Sequence, residues 1–153
     1  MKVSNYSREG NTVVFDVSGV DVRLMNVFRR TVLSSIHVMA VENVTFYRNS
    51  SILNDEVLAH RIGLVPLTTD LKTYVPQREC SCKGTGCGRC VCKLTLDVVG
   101  PATVYSGDLK STDENIKPVY DKIPLVKLAS EQRITLEAEA VLGLSLIHIS
   151  EPT

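Results

Sequence analysis

"DVRLMNVFRRTVLSSIHVMAVENVTFYRN", Asp21 to Asn49, changes its hydrophobic period midway. Up to His37 the apolar residues Val22, Met25, Phe28, Val32 and Ile36 recur at steps of three and four. That spacing puts them on one face of an amphipathic helix of about four turns. Asp21 stands where an N-cap carboxylate accepts the free backbone N–H groups of the first turn. From Val38 to Asn49 the pattern alternates and is rich in β-branched and aromatic residues, so a strand follows the helix. The apolar helix face needs cover, either from this chain's own core or from a partner.

The same reading extends in both directions. "NTVVFDVSGV" (Asn11–Val20) alternates as a strand. "NDEVLAHRIG" predicts a short helix with Asn54 as N-cap, Asp55 and Glu56 in its first turn and Gly63 as its stop. "LVPLTTD" is extended by its proline. "KLTLDVVG" and "ATVYSGDL" flank Gly100-Pro101 and read as a hairpin-like pair, and "STDENIKPVYDKIP" reads as a polar connection. In "RITLEAEAVLG" Ile134, Leu136, Ala138 and Ala140 share one face of a final strand. The order β, α, β, α and then mostly β predicts an α+β chain.

Composition narrows the function classes. A chain of 153 residues fits one ordinary domain or two small ones. With 17 basic and 17 acidic residues it has no bulk charge with which to hold nucleic acid. Trp is absent and aromatics make up 5%, which argues against a base-stacking platform. No apolar run approaches the ~20 residues that span a bilayer. The polar start "MKVSNYSREG" lacks a signal-peptide core. The expectation is a cytoplasmic protein with no membrane partner and with reduced thiols.

All five cysteines fall in "RECSCKGTGCGRCVCK", Arg78–Lys93, spaced Cys80-x-Cys82-x4-Cys87-x2-Cys90-x-Cys92. Two close pairs around a short glycine-rich turn can bring four thiolates onto one tetrahedral ion. Gly84, Gly86 and Gly88 are expected to supply positive φ and close backbone approach. Lys83 and Arg89 offset part of the charge of a tetrathiolate centre. One structural zinc on Cys80, Cys82, Cys87 and Cys90 is the reading, with Cys92 spare or an alternative fourth ligand. An iron–sulfur cluster ranks below zinc because its cysteine runs are more regular. A set of buried free thiols ranks lower still. The glycine-rich cysteine units of zinc-binding co-chaperones offer a rival, but they recur in several copies and this chain has one.

Nothing catalytic assembles in the sequence. His37, His60 and His148 are scattered, with no Ser or Cys at a telling spacing. The phosphate-binding and zinc-protease motifs are missing. Asp55-Glu56 and Asp113-Glu114 are explained by capping or solvation, and His60 by a structural role between helix and proline turn. Arg29-Arg30 is either a solvated helix face or a polar contact to a partner.

Taken together, "VRLMNVFRRTVLSSIHVMAVENVTF" and "LNDEVLAHRIGLVPL" resemble the D-type subunits of archaeal DNA-directed RNA polymerase. The bacterial α subunit and the third-largest subunit of eukaryotic RNA polymerase II are relatives of that family. The resemblance runs from about Asp16 to Gly143. It rests on Asn26, Arg29 and Arg30, on the motif containing Asp55, Glu56, His60, Arg61, Gly63 and Pro66, and on the cysteine loop followed by "LTL" and "VYSGDL". It implies an incomplete RNA polymerase alpha-like dimerisation domain with an inserted mostly-β domain carrying the zinc loop. Residues 1–37 would be the first half of the dimerisation domain, and residues 38–143 the insert with its loop 80–92. Val22, Met25, Asn26, Phe28, Arg29, Arg30, Val32 and Ile36 would face other subunits. The implied role is a non-catalytic assembly subunit, part of a nucleotidyltransferase without holding its catalytic residues. It would pair with the small subunit L as a platform for the large catalytic and small assembly subunits, and would meet DNA only through the assembled complex. A free-standing zinc module and an iron–sulfur redox protein are the alternatives. Past "AVLGL" the family usually continues "KEHAKW", whereas here "SLIHISEPT" follows. Residues 144–153 therefore read as a non-native tail.

Overall fold

The computed structural model describes residues 1–10, 12–82 and 85–144, and it divides into two compact units, Met1–Ser35 and Ile36–Thr153. The tail reading and His148 lie outside the described residues, apart from Leu144 at the end of the last strand.

The first unit is a hairpin and a helix. Strand β1 (Lys2–Glu9) pairs antiparallel with β2 (Thr12–Ser18), from Lys2 opposite Ser18 to Glu9 opposite Thr12. The sequence reading missed β1 because "KVSNYSRE" shows no apolar alternation and almost all of it is exposed. A bulge between Ser4 and Ser7 holds Asn5 at φ +53°, and the Asn5 amide donates to Asp16 Oδ2 at 2.7 Å.

Helix α1 (Val22–Ser34) begins as predicted. Asp21 Oδ1 accepts the Arg23 N–H at 2.8 Å, and its other oxygen meets the Arg23 guanidinium at 2.8 Å. The Arg23 side chain, and then its backbone N–H, hold the Asp21 carboxyl below its ordinary pKa. The helix ends at Ser34, so Ile36 is not on it, contrary to the sequence reading. Strand β3 (His37–Asn49) already pairs His37 with Leu144, which demands extended backbone directly after the Ser34-Ser35 pair.

The second unit is built on a four-stranded antiparallel sheet, ordered β3, β8 (Arg133–Leu144), β4 (Val91–Val99) and β6 (Lys110–Ser111). Strand β8 pairs with β3 on one side and β4 on the other, so its Ile134, Leu136, Ala138 and Ala140 are fully covered. They meet Cys92, Leu94 and Leu96 of β4, Met39 and Val41 of β3, and Leu58 and Ile62 of α2 (Asp55–Gly63) in one core. Each large side chain buried there is worth roughly 1.5–3 kcal/mol.

Three sequence expectations change in this unit. The strands on either side of Gly100-Pro101 do not pair with each other. Strand β5 (Ala102–Tyr105) leaves the sheet and pairs with β7 (Pro124–Leu128), a strand the sequence reading did not assign. The neighbours explain the departure: β4 already has β8 along its whole length and β6 on its other edge. Gly100 allows it, because a Cβ there would lie 2.1 Å from the Ala129 carbonyl oxygen. Finally, Gly63 does not stop α2 by a left-handed turn; it is the last helical residue, and Leu64 follows at φ −84°. The helix ends because Pro66 disfavours helical backbone at Val65.

Candidate metal centre

Strand β4 fixes one end of the cysteine segment and a 3₁₀ turn, Gln77–Glu79, fixes the other. Between them the chain is folded back by short bonds. The Cys90 and Val91 N–H groups both donate to the Cys87 carbonyl, at 2.9 and 3.0 Å. Thr85 donates to the Cys82 carbonyl through its N–H at 3.2 Å and its hydroxyl at 2.7 Å. The Val75 N–H donates to the Arg89 carbonyl at 3.0 Å, tying the loop to the segment before it. Gly86 sits at φ +79°, a conformation open to glycine. Gly88 does not share it and has open space where a Cβ would stand, which corrects the expectation for that residue. Lys83 and Gly84 lie outside the described residues.

The result is a cluster. The Sγ atoms of Cys80, Cys82, Cys87 and Cys90 all lie within 4.8 Å of one another. Cys80 and Cys87 are 3.4 Å apart, Cys82 and Cys90 3.5 Å, and Cys87 and Cys90 3.7 Å. Four sulfurs at about 2.3 Å from a tetrahedral zinc stand about 3.8 Å from one another, so the donor set fits such an ion in number, chemistry and spacing. The Cys87 N–H also points at Cys90 Sγ at 3.2 Å, a donor that would stabilise thiolate charge. Without an ion Cys80 and Cys90 resist ionisation. Burial, ahead of the neighbouring thiols, pushes Cys90 up to about 12. Cys80 is also raised, the lowering by the Cys82 N–H being outweighed by the surrounding thiols and burial. A divalent cation reverses that balance by favouring all four thiolates together.

Cys92 is not one of the four. It is 1% exposed, and its Sγ lies 3.3 Å from Ser111 Oγ and 3.8 Å from Thr112 Oγ1. Beside it runs a polar contact that sequence reasoning missed. The Tyr74 hydroxyl donates to Asp113 Oδ2 at 2.9 Å, with Tyr74 buried. Burial, then the hydrogen bonds to Cys92 and Asp113, raises the Tyr74 pKa. Asp113 is therefore more than a solvated loop carboxylate. A separation of 39 positions between the two leaves no local signal in the sequence.

The remaining candidate residues are spread out. Asp55, Glu56 and His60 are exposed on α2, with the Asn49 amide donating to Asp55 Oδ1 at 2.7 Å. Arg61 donates to the Pro124 carbonyl at 2.9 Å, joining α2 to β7, and Gly63 is half-buried. The Pro66 carbonyl accepts the Val119 N–H at 2.9 Å. On α1, Asn26, Arg29 and Arg30 are exposed and Met25 is half-buried. Val22, Phe28 and Val32 are exposed as well, at 74%, 51% and 43%. Leu24, Met25 and Phe28 line an apolar hollow with Met1, Phe15, Val17 and Val20.

Comparison with known proteins puts these features in context. The model of the RNA polymerase Rpb3/RpoA insert domain matches residues 43–152. The chain is similar to DNA-directed RNA polymerase subunit Rpo3 of Methanosphaera stadtmanae, 42% identical over 97% of this chain and 56% of that one. It is 43% identical to the Rpo3 subunit of Methanothermobacter thermautotrophicus over 100% of this chain and 59% of that one. With the Rpo3 subunit of Pyrobaculum aerophilum it shares 45% over 86% of this chain and 52% of that one. The chain thus spans about half the length of these curated relatives. The matched residues include most of β3, all of α2, the cysteine loop and the strands around the core, and the chain belongs to the RNA polymerase Rpb3/RpoA insert domain family.

Proposed function

We propose that this chain acts as a non-catalytic assembly subunit of an archaeal DNA-directed RNA polymerase. The observation that carries the reading is identity above 40% over at least 97% of the chain to two relatives named as Rpo3 subunits of that enzyme. One insert-domain match across residues 43–152 disfavours a free-standing co-chaperone module, which would repeat its cysteine unit. Residues 1–37 act as part of a dimerisation domain, and residues 38–143 as the insert. Subunit L is the proposed dimer partner. The exposed apolar side chains Val22, Phe28 and Val32 of α1 support this, since they are costly to leave in water. Arg29 and Arg30, both exposed, supply bidentate contacts to the other polymerase subunits. Nucleotidyl transfer belongs to the whole enzyme.

Zinc is the proposed ion for Cys80, Cys82, Cys87 and Cys90. Four soft donors in tetrahedral spacing support it, and the ion would tie down a loop with little apolar core of its own. Anaerobically purified protein should carry about one zinc per chain and be colourless; brown absorbance would instead mean an iron–sulfur cluster.

The assembly reading is tested by tagging the full-length subunit, co-expressing it with the other polymerase subunits and quantifying the assembled enzyme. Arg29→Ala/Arg30→Ala should lower the yield of large subunits on the tag while the variant's own fold is kept. A normal yield would defeat the assignment of that pair. Failure of the parent chain to capture any polymerase subunit would defeat the function.

A further inference from the structure

The four clustered sulfurs differ in access. Cys80 and Cys90 are buried, whereas Cys82 and Cys87 are half-buried. Two close pairs, Cys80 with Cys87 and Cys82 with Cys90, each join a buried sulfur to a half-buried one at 3.4 and 3.5 Å. Cys92 is excluded from the cluster by its own place beside Ser111 and Thr112. Resting on the metal-site reading, we infer that the cluster is an oxidant-triggered metal release. Hydrogen peroxide converts Cys80–Cys87 and Cys82–Cys90 into two disulfides, the metal leaves, and Cys92 stays a thiol.

The chemistry balances with hydrogen peroxide as the oxidant. A half-buried thiolate, Cys87 or Cys82, attacks one peroxide oxygen. The O–O bond breaks, a sulfenic acid forms, and hydroxide leaves to become water. The buried partner in contact with that sulfur attacks it. The S–O bond breaks, the S–S bond forms, and a second hydroxide takes up a proton. Each disulfide gives two electrons to one peroxide, so four thiolates consume two. Disulfide sulfurs carry no negative charge, so the divalent ion loses its donors and leaves as the aquated cation. Contact with a resolving thiolate makes the disulfide form ahead of overoxidation, because the second step needs no diffusion.

The test uses the full chain, purified without oxygen and assayed for metal. It is titrated with hydrogen peroxide in the presence of a chromogenic chelator, then alkylated, digested and mapped by mass spectrometry. The expected result is release of the bound metal after about two equivalents of peroxide. Peptides linked Cys80–Cys87 and Cys82–Cys90 should appear, with Cys92 alkylated only after unfolding. Cys92→Ser should give the same release and the same linkages. Metal retained through the titration, a Cys87–Cys90 linkage, sulfinates in place of disulfides, or Cys92 in a linkage each overturns the inference and leaves the metal-site reading standing. Absence of metal before any peroxide is added overturns both.

Discussion

At the scale of single residues, chemistry divides the five cysteines by what each sulfur touches. Four sulfurs share a space within 4.8 Å, and the fifth faces hydroxyl groups. Cys87→Ser should therefore lower the metal content and make the loop around residues 78–93 a protease site, while Cys92→Ser keeps the metal. Equal metal content and protease resistance in the two variants would break the distinction. Ion pairs on the sheet give a second residue-scale expectation. The Arg133 guanidinium, then the Thr135 hydroxyl, hold Asp97 below its ordinary pKa, and Lys93 does the same for Glu137. Because the folded values are depressed, their stabilisation is present above the unfolded carboxylate range and is lost as pH falls through the folded values. Lys93 is raised by Glu137, so its share persists below the ordinary lysine range and disappears as pH rises through the folded value. Asp97→Asn should melt below the parent by a small margin at neutral pH, as befits an exposed pair, and together with it at about pH 2. An equal gap at both pH values would contradict the linkage.

At the scale of elements, strand β8 carries the second unit, because among the described strands it alone pairs along its length with two long strands. Leu136 is 2% exposed at its middle, facing Phe46 on β3 and Leu96 on β4. Leu136→Ala should cost about 2–5 kcal/mol in a denaturant melt of the parent and variant chains. A loss below 1 kcal/mol, roughly what an exposed position gives, would mean that β8 is not central. This strand was legible from sequence because Ile134, Leu136, Ala138 and Ala140 alternate with polar residues at the period of a sheet. Helix α1 was legible too, and so was its cap at Asp21, since capping chemistry is local. Strands β1 and β7 were not, because "KVSNYSRE" buries nothing and "PLVKL" sits at the end of a polar stretch with prolines. The pairing of β5 with β7 spans about 20 residues of connection, a distance at which no turn signal acts. The clustering of Cys80, Cys82, Cys87 and Cys90 was readable in outline from spacing. What spacing could not supply was the direction of Cys92, which Ser111 and Thr112 on the far side of β4 determine.

At the scale of the whole molecule, the two units differ in how they are held together. The second has a continuous core in which residues such as Leu94, Ile134 and Ala138 are fully buried. In the first, none of α1 is buried, and Leu24, Val27 and Phe28 are each more than half exposed. Amide protection follows the free energy of local opening, which rises with buried apolar contact. Amides of β8 and β4 should exchange through global unfolding, while those of Val22–Ser34 exchange through fraying of a helix that packs on little. The cap sharpens the contrast: Asp21→Ala removes the bond to the Arg23 N–H and should speed α1 exchange without touching β8. Addition of the proposed small partner subunit should then slow exchange across α1 and leave β8 unchanged, because Ile134, Leu136, Ala138 and Ala140 of β8 are already buried whereas Val22, Leu24, Val27 and Phe28 of α1 are exposed. Hydrogen exchange read by mass spectrometry on the full chain, alone and with the partner, follows all of these segments at once. Protection of α1 equal to that of β8 without any partner would show the helix already covered within this chain, and the dimerisation reading of residues 1–37 would fall with it.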